Sequence, residues 1–211
     1  MGAEGIFFLV AGPTATGKTT VLQRLREAAP GWIKDVSVTT RAPRPGEVDG
    51  RDYHFWSRER FEAALRREEF LEHALVHGLD FYGTLKGPVE AQLRQGVDVI
   101  KDIDVQGVAQ VRRVWPYPRT VAVFMVPPAP GDLLARFRKR GAEEATQSAR
   151  LETAAAEIGR IGEYEYLVCN RDVAAAVAEL LAIRCAEHCR RARCEEEFRA
   201  TWTPSAGGWR P

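Results

Sequence analysis

The hydrophobic pattern of this chain alternates between short apolar runs and longer segments whose apolar residues recur at helical spacing. The runs at 6–10, 97–104, 120–126 and 166–170 are typical of buried strands. Helical spacing predicts helices over 18–29, 88–94, 105–114, 133–140, 147–158 and 173–193. Strands and helices that alternate in this way predict an α/β protein, with a parallel sheet covered by helices on both faces.

Residues 36–89 interrupt this alternation. A short strand opens into a turn-rich loop, and the alternating stretch 52–56 is typical of a half-exposed antiparallel strand. Ser57 is placed to cap a helix over 58–67, and 70–76 predicts a further short strand. We therefore expect a small strand-rich insertion between the first helix and the next strand of the parallel sheet.

Length and charge narrow the class of protein. A chain of 211 residues suits one compact α/β domain with small insertions, and its formal net charge of +1 gives no reason to expect a nucleic-acid or membrane partner. The first residues lack the basic region of a signal peptide, and the apolar run after them is too short to cross a bilayer. We expect a cytoplasmic protein, with a disordered Pro- and Gly-rich tail at 196–211.

Four cysteines bear on redox state and on metal binding. Cys169 lies in a strand-like run, whereas the other three, Cys185, Cys189 and Cys194, lie near His188. A metal cluster can be imagined here, but structural zinc sites draw paired ligands from turns with tighter spacing, and one continuous helix cannot surround a tetrahedral ion. We therefore expect reduced thiols without a catalytic role.

The strongest chemical signal follows the first apolar run. This segment reads Gly12-Pro13-Thr14-Ala15-Thr16-Gly17-Lys18-Thr19. A phosphate-binding loop needs glycines where the backbone approaches a polyphosphate, a lysine that reaches the outer phosphates and a neighbouring hydroxyl for magnesium. The next helix would direct its N-terminal amides at the anion. A chance match in a glycine-containing turn is the alternative, but the strand before it and the helix after it favour a nucleoside triphosphate site.

A second group of residues could bind another phosphate. Arg41 and Arg44 lie on one loop, close in sequence to Tyr53. Forked guanidinium donors and a phenol suit a phosphate group. The alternative is a solvated surface loop, and these residues alone do not decide between the two.

Glu72 and the segment Tyr82-Gly83-Thr84 offer partners for a nucleobase. A carboxylate can accept from both the ring N–H and the exocyclic amine of guanine, and a threonine hydroxyl can donate to the guanine carbonyl oxygen. A lone glutamate on a strand is, however, more often a salt-bridged surface group.

These residues occur in the motif order of a known family. Residues 36–55 contain the string Thr-Thr-Arg-Ala-Pro-Arg-Pro-Gly-Glu-Val-Asp-Gly-Arg-Asp-Tyr-His-Phe, which closely resembles guanylate kinase, the enzyme that phosphorylates GMP with ATP. Further motifs that resemble this family are Asp102-Ile103-Asp104-Val105-Gln106-Gly107, Tyr82-Gly83-Thr84, Pro127-Pro128 and 136–141. The resemblance extends from about Gly5 to about Arg190.

The resemblance implies a three-layer P-loop fold with a parallel sheet core, a strand-rich GMP-binding insertion and a helical lid. The core would comprise 1–35, 90–134 and 151–195, the GMP-binding subdomain 36–89 and the lid 135–150. ATP and GMP or dGMP would be the substrates and Mg²⁺ the cofactor, with neither nucleic acid nor membrane as a partner. The resemblance says nothing about oligomeric state.

It also implies a role for each matching residue. ATP would be bound by the loop and its surroundings, namely Gly12, Pro13, Thr14, Ala15, Thr16, Gly17, Lys18, Thr19, Thr20, Arg136 and Asn170. The GMP phosphate would be held by Arg41, Arg44, Tyr53 and Tyr82, and guanine would be surrounded by Ser37, Glu72, Gly83, Thr84 and Asp102. Glu72 would be the main discriminator against adenine. Magnesium would be held by Thr19 and, through water, by Asp104.

Catalysis would then depend on positioning and on positive charge, through Lys18, Arg44, Arg140 and Arg150. The lid arginines would act when the lid closes. Their alternative interpretation is a solvated basic helix face. No covalent intermediate or general base is needed, because a GMP phosphate oxygen is already ionised.

Some positions depart from the family pattern. Ala15 stands where a glycine is common, which matters only if that residue needs a positive φ. Lys101 replaces an apolar residue and could either pair with an acid near the site or extend to the surface. Arg171 follows Asn170 where an acid is typical, and the lid is one residue shorter than usual. We interpret these differences as drift in an active enzyme.

Two other functions are considered. A related P-loop kinase that acts on ribose 1,5-bisphosphate would share the loop and the lid but not the guanine pocket, so Glu72 and Thr84 speak against it. A catalytically silent guanylate-kinase-like module that binds phosphorylated peptides would be expected to have a damaged phosphate loop. Lys18 and Thr19 are retained in this sequence.

Overall fold

The computed structural model describes residues 4–76, 78–139 and 144–202. Its strands are β1 (Phe7–Ala11), β2 (Trp32–Lys34), β3 (Val38–Thr39), β4 (His54–Phe55), β5 (Phe70–Val76), β6 (Asp80–Leu85), β7 (Asp98–Asp102), β8 (Thr120–Val126) and β9 (Tyr166–Cys169). Its helices are α1 (Lys18–Ala28), α2 (Arg58–Arg66), α3 (Lys86–Arg94), α4 (Val105–Val114), α5 (Pro130–Lys139), α6 (Glu144–Ile158), α7 (Val173–His188) and α8 (Arg191–Trp202).

Five strands form the central sheet, in the order β2-β7-β1-β8-β9, and every neighbouring pair is parallel. The middle strand β1 is buried along its whole length. Burial on both faces explains why the sequence of β1 is continuously apolar rather than alternating. The predicted α/β class and its parallel core are confirmed.

Helices cover both faces of this sheet and bury alternate residues of β1. On one face, Phe8 packs in a cluster with residues of α1 and α7, including Val21, Leu25, Val177 and Leu180. On the other face, Phe7 packs in a cluster with residues of α3 and α4, including Val89, Leu93, Val108 and Val111. Successive side chains of a strand point to opposite faces, so one apolar strand contributes to both halves of the core.

The insertion forms a second sheet, in the order β4-β3-β6-β5. β5 and β6 make an antiparallel hairpin, and β6 pairs antiparallel with β3. The antiparallel pairing expected for 52–56 is wrong, because β4 pairs in parallel with β3. The long loop after β3 carries the chain back, so that β4 starts beside β3 and runs in the same direction.

This second sheet has its own small core. Phe61 of α2 stacks on Phe70, with ring centroids 4.4 Å apart, and on Phe81, at 5.0 Å. Ser57 caps α2 as predicted, since its hydroxyl accepts a hydrogen bond from the Arg60 backbone N–H at 3.2 Å. The insertion is therefore a packed unit, in which Glu72, Tyr82 and Thr84 lie on strands and Arg41 and Arg44 lie on the loop after β3.

The long C-terminal helix expected over 173–193 is interrupted after His188. At the interruption, the buried carboxylate of Glu187 accepts hydrogen bonds from Tyr166 Oη at 2.6 Å and from Arg190 Nε at 2.7 Å. A buried carboxylate needs such partners, and Arg190 meets Glu187 from the turn between the two helices. The break in the helix thus provides a partner for the buried carboxylate of Glu187, whose burial was not predicted.

The disorder expected over 196–211 is wrong for 196–202, which belong to α8. Glu195 forms ion pairs with Arg191 and with Arg199, each four residues away along the helix. Pairs at this spacing support a helix, whereas the Pro and Gly content that predicted disorder begins only at Pro204. Residues 203–211 lie outside the described residues.

Within the described ranges, no helix combines the length and the apolar character needed to cross a membrane. All four cysteines are free thiols. The side chains described by the structure include no group of three or more His, Cys, Asp or Glu residues arranged to hold a metal ion.

Candidate active site

The phosphate loop connects the end of β1 to the first residue of α1. Its backbone turns at Gly12, with φ of 139°, and at Gly17, with φ of 94°. A Cβ on Gly12 would lie 2.0 Å from the backbone oxygen of Met125 in β8. Gly12 therefore lets the loop turn directly against the neighbouring strand, which is a requirement that only glycine meets.

Ala15 occupies the left-handed region, with φ of 67°. This conformation is strained for any residue with a Cβ, so the position does use a positive φ and the departure from glycine has a cost. The methyl group is buried in a cluster with Leu133 and Phe137 of α5. Contact with α5 offsets part of that strain and connects the loop to the helix whose second half belongs to the expected lid.

Lys18 is held inside the loop, where its Nζ donates to the backbone oxygens of Gly12 at 2.6 Å and Pro13 at 3.2 Å. The same Nζ lies 3.9 Å from Asp102 Oδ1, at the end of β7. Thr19 Oγ1 donates to Asp102 Oδ2 at 3.5 Å. The lysine and the hydroxyl predicted to serve ATP and its metal thus lie at the carboxyl edge of the sheet, together with Asp102, which was predicted to lie beside guanine.

The Asp102 side chain is 38% exposed, and the partial burial of its carboxyl raises its pKa while the charge of Lys18 opposes the rise. Asp104, two residues on, caps α4 by accepting a hydrogen bond from the Gly107 N–H at 2.6 Å through Oδ1. This cap uses one of the two carboxylate oxygens. Oxygen donors from Thr19, Asp102 and Asp104 are the type that hydrated Mg²⁺ prefers, so the residues fit the metal that the sequence implies.

Two further predicted residues donate hydrogen bonds to the backbone of the phosphate loop. Arg136 Nη1 donates to the backbone oxygens of Ala15 at 3.0 Å and Thr16 at 2.7 Å. Asn170 Nδ2 donates to the Thr16 oxygen at 2.7 Å. These contacts border a cavity of about 380 Å³ lined by Ala15, Gly17, Thr20, Arg136, Asn170, Arg171, Asp172 and Val173. Arg171 therefore faces the space beside the loop that the resemblance assigns to the adenine of ATP.

The lid arginines are placed differently. Arg150 lies on α6 with its guanidinium 5.5 Å from the ring centroid of Phe137. It is exposed and packs on α5 rather than on the phosphate loop. Arg140 lies outside the described residues. The structure thus brings Arg136 to the loop but does not bring Arg150 there.

Arg41 is the centre of the predicted phosphate cluster of the insertion. Its Nη1 and Nη2 each donate to Glu47 at 2.9 Å, and its Nε donates to Tyr82 Oη at 3.1 Å. The guanidinium carbon lies 5.5 Å from the ring centroid of Tyr53. Hydrogen bonds to Glu47 and then to Tyr82 raise the pKa of Arg41 above its usual range. Arg44 contributes its backbone N–H, which donates to Glu47 at 2.7 Å, and leaves its side chain exposed.

Glu72 and Thr84 face each other across the hairpin of β5 and β6, and the Thr84 hydroxyl donates to the Glu72 carboxylate. Burial raises the pKa of Glu72, whereas the charge of Lys101 and the Thr84 hydrogen bond lower it. The neighbouring Gly83 packs under Phe70, since a Cβ there would lie 2.7 Å from that ring. Glu72 is therefore a mostly buried carboxylate and not the surface group of the alternative interpretation.

Lys101 pairs with acids near the site rather than extending to the surface. Its side chain is 5% exposed, and Nζ donates to Asp35 Oδ2 at 2.7 Å and to Ser37 Oγ at 2.7 Å. The same Nζ lies 3.9 Å from Glu72 Oε1. Lys101 thus connects Ser37 and Glu72, two residues predicted to surround guanine.

A second cavity of about 380 Å³ opens beside this network, and it is lined by Thr19, Leu22, Gln23, Arg26, Lys34, Asp35, Ser37, Asp52, Tyr53, Ile100, Lys101 and Asp102. Ser37, Tyr53 and Asp102 are three of the residues predicted to bind GMP. Tyr53 contacts Tyr82 edge to face at 5.9 Å, and this contact extends the wall toward Arg41. Both cavities reach the first turn of α1, this one at Thr19 and the other at Thr20.

Three acids in this region were not predicted from the sequence. Glu47 fixes Arg41 and Asp35 fixes Lys101. Glu157 of α6 is half-buried, its pKa is raised by burial, and its Oε2 has no hydrogen-bond partner in the described part of the chain. Glu47 lies inside the string of 36–55 and could have been considered there. Asp35 and Glu157 show no signal in one sequence, because the cations whose charge acts on them, Lys101 for Asp35 and Lys18 for Glu157, are distant along the chain.

Comparison with known proteins yields consistent matches. A family model described as guanylate kinase matches residues 6–185. A guanylate kinase of Cereibacter sphaeroides is 43% identical over 194 residues, which cover 92% of this chain and 92% of that protein. One of Tropheryma whipplei is 46% identical over 173 residues, with 82% and 89% covered. The fold is similar to a crystal structure of guanylate kinase from Anaplasma phagocytophilum, with a TM-score of 0.75, 31% identity and coverage of 97% and 98%.

Proposed function

The chain belongs to the guanylate kinase family, and on this premise we propose how its residues transfer the γ-phosphoryl group of ATP to GMP or dGMP. The protein is an ATP:GMP phosphotransferase, a P-loop kinase that yields ADP and GDP. The observation that carries the assignment of roles is the end of β7. There Asp102 contacts Lys18 and Thr19 of the phosphate loop, while the adjacent Lys101 contacts Ser37 and Glu72.

On the donor side, we assign the ATP phosphates to the loop between Gly12 and Thr19 and to the N-terminus of α1. Lys18 donates to the outer phosphates, which replace the backbone oxygens of Gly12 and Pro13 as its partners. Arg136 and Asn170 hold the loop in shape through Ala15 and Thr16 and border the cavity assigned to adenine. Thr20 lines the same cavity.

Magnesium belongs to the donor side. Thr19 would hold it directly and Asp104 through water, and Asp102, which contacts Thr19, would be a further partner for its water molecules. When bound, Mg²⁺ supplies positive charge that neutralises the transferred phosphoryl group. Asp102 also orients Lys18 and Thr19, so the protein fixes the direction of both donors.

On the acceptor side, residues 36–89 form the GMP-binding subdomain. We assign the GMP phosphate to Arg41, Arg44, Tyr53 and Tyr82. A guanidinium that holds a carboxylate in a two-pronged pair presents the geometry that also suits a phosphate. Guanine is assigned to Ser37, Glu72, Gly83, Thr84 and Asp102, where the Glu72 carboxylate accepts from the ring N–H and the exocyclic amine.

We assign the lid to 135–150 and the core to 1–35, 90–134 and 151–195. Arg140 and Arg150 would approach the phosphates when the lid closes, which requires the Arg150 side chain to leave Phe137. Closure would exclude water and add positive charge to the loose transition state of phosphoryl transfer. The substrates are small nucleotides, so we propose a cytoplasmic protein without a nucleic-acid or membrane partner.

A panel of phosphoryl acceptors tests this function. The purified protein would be mixed with ATP, Mg²⁺ and one acceptor at a time, and ADP release would be measured by a coupled assay. We expect turnover with GMP and dGMP and little with AMP, CMP, UMP or ribose 1,5-bisphosphate. Preference for the sugar phosphate would favour the related kinase, and tight ATP binding without turnover would favour the silent binding module. Either result would overturn the proposed function.

A further inference from the structure

Lys101 is a buried ammonium group with three polar neighbours, Asp35, Ser37 and Glu72. It lies on β7 between the buried Ile100 and the exposed Asp102, and its side chain is 5% exposed. A buried charge needs a counter-ion, and Asp35 provides it at 2.7 Å. The other donors of the ammonium group face Ser37 Oγ at 2.7 Å and Glu72 Oε1 at 3.9 Å, and each of these contacts also acts on the neighbour of Lys101.

The contact with Ser37 fixes the direction of a hydroxyl. An ammonium group has donors and no acceptor, so Ser37 Oγ must accept in this contact. The serine O–H then points away from Lys101 and is left to donate to another group. Lys101 thus converts a hydroxyl that could either donate or accept into one that presents its proton.

The contact with Glu72 acts on a charge. Burial raises the pKa of this carboxyl, and the positive charge of Lys101 is the strongest influence that lowers it. Other groups that face Glu72 are Thr84 on β6, Asp104 before α4 and Asp35 after β2, and of these only Thr84 also lowers the pKa. Lys101 thus favours the ionised carboxylate, which accepts hydrogen bonds and cannot donate one.

A donating hydroxyl and an accepting carboxylate match one purine and oppose the other. Guanine presents a carbonyl oxygen at C6, an N–H at position 1 and an amine at C2. Adenine presents an amine at C6 and an acceptor nitrogen at position 1. The arrangement set by Lys101 therefore pairs with guanine at each position and places like groups against adenine.

We propose that Lys101 is a positioning residue that sets guanine selectivity by holding Ser37 as a donor and Glu72 as an ionised acceptor. The inference rests on the proposed function, because it requires guanine to lie against Ser37 and Glu72. It assigns to β7 a role in base selection in addition to its place in the sheet.

The test compares Lys101→Met with the wild-type enzyme in steady-state kinetics with GMP and with AMP. Methionine keeps the length and loses the charge. We expect kcat/KM for GMP to fall by about 10- to 100-fold, mostly through KM, with no comparable fall for AMP. KM for GMP should also rise as the pH is lowered, and in Lys101→Met this rise should begin at a higher pH than in the wild type. The reason is that Glu72 without the ammonium group holds its proton to higher pH.

Two control variants separate this role from a structural one. Asp35→Asn breaks the same buried pair but keeps the ammonium, so it should lower stability and leave the GMP-to-AMP ratio within about threefold. Arg184→Met removes a cation from Asp98, which is 0% exposed. This variant should leave kcat/KM for GMP and for AMP unchanged. If Lys101→Met does not fold, Lys101→Met with Asp35→Asn removes both buried charges together and gives the same readout.

The outcomes separate the two proposals. If the wild type prefers GMP but Lys101→Met keeps the same ratio and the same pH profile, the role of Lys101 is wrong and the function stands. Equal losses for both nucleotides in Lys101→Met and Asp35→Asn would show a purely structural pair and also overturn the inference. If the wild type itself does not prefer GMP, the proposed function fails and the inference fails with it.

Discussion

Replacing Glu72 by glutamine tests guanine recognition directly. The substitution keeps the size of the side chain, which is 12% exposed, and changes one oxygen into an NH₂ group. Thr84 can still donate to the remaining oxygen, and Lys101 keeps Asp35 as its counter-ion at 2.7 Å. The fold should therefore be preserved while the acceptor pair for guanine is lost.

The magnitude follows from the hydrogen bonds that change. A hydrogen bond to a charged group contributes about 1.5–3 kcal/mol, and a buried donor left without a partner costs about 1–3 kcal/mol. Glu72→Gln loses one charged acceptor and turns an N–H toward a guanine N–H. The sum is at least about 2.5 kcal/mol, which corresponds to roughly a 70-fold fall in kcat/KM for GMP.

The opposite effect is expected for adenine. Its ring nitrogen at position 1 is an acceptor, which the new NH₂ group can satisfy and the original carboxylate could not. The ratio of kcat/KM for GMP to that for AMP should consequently fall by more than the loss for GMP alone. Titration calorimetry with each monophosphate would show whether the loss lies in binding.

A coupled assay of ADP release measures both ratios, with Glu69→Gln as the matched control. Glu69 is the same residue type three positions away and pairs with Arg67 at 2.5 Å on the surface. Its substitution should change kcat/KM for GMP by less than about twofold. If Glu72→Gln kept the GMP-to-AMP ratio of the wild type, guanine would not lie against this carboxylate and the assignment of the pocket would be wrong.

Lys18→Met should lower kcat at least about 1,000-fold, because it removes the positive charge that acts on the transferred phosphoryl group. Calorimetry should give a dissociation constant for GMP within about threefold of the wild-type value. Undiminished turnover would contradict the loop assignment. Gly12→Ala should lower Tm by roughly 5–10 °C in scanning calorimetry, since its Cβ would lie 2.0 Å from Met125 O, and an unchanged Tm would disprove the close approach. Burial raises the pKa of Asp102 in the folded protein above its ordinary value of 3.8. The protonated carboxyl therefore contributes to the free energy of unfolding, and this contribution is fully present below pH 3.8 and is lost as the pH rises through the pKa of the folded state. Asp102→Asn should remove this pH dependence from the free energy of unfolding, measured with urea across acidic pH. If the variant kept the pH dependence of the wild type, the raised pKa of Asp102 would be wrong.

Elements with a clear pattern and a clear stop were predicted best. The strand over 120–126 and the helix over 105–114 match β8 and α4 to the residue. Pro127 ends that strand and Asp104 caps that helix, so local chemistry fixes both boundaries. β2 and β6 were missed for the opposite reason. β2 is three residues long with only Trp32 buried, and β6 forms through pairing with β3 and β5 that no local pattern shows.

The candidate site likewise contains residues that could be assigned from the sequence and residues that could not. Residues within one motif could be assigned from the sequence, because the loop brings Lys18 and Thr19 together by its own geometry. The Lys101–Asp35 pair joins residues 66 positions apart, so one sequence offered two possible environments for Lys101 and no way to choose. The positive φ of Ala15 likewise depends on how the loop meets α5. Contacts made by the fold, rather than by neighbours in the chain, account for what the sequence could not show.

The cations assigned to the substrate phosphates are already fixed by the protein itself. Lys18 is bonded to the Gly12 oxygen at 2.6 Å, and Arg41 is held by Glu47 at 2.9 Å and by Tyr82 at 3.1 Å. Fixing a lysine or arginine side chain costs up to about 2 kcal/mol in rotamer freedom, and here that ordering accompanies folding instead of substrate binding. A phosphate that arrives at Lys18 exchanges one oxygen acceptor for another, and a phosphate that arrives at Arg41 meets a guanidinium that Glu47 already holds in place. On the proposed assignment, Glu47 would contribute to phosphate binding without contacting the substrate, because it sets the orientation of the Arg41 guanidinium.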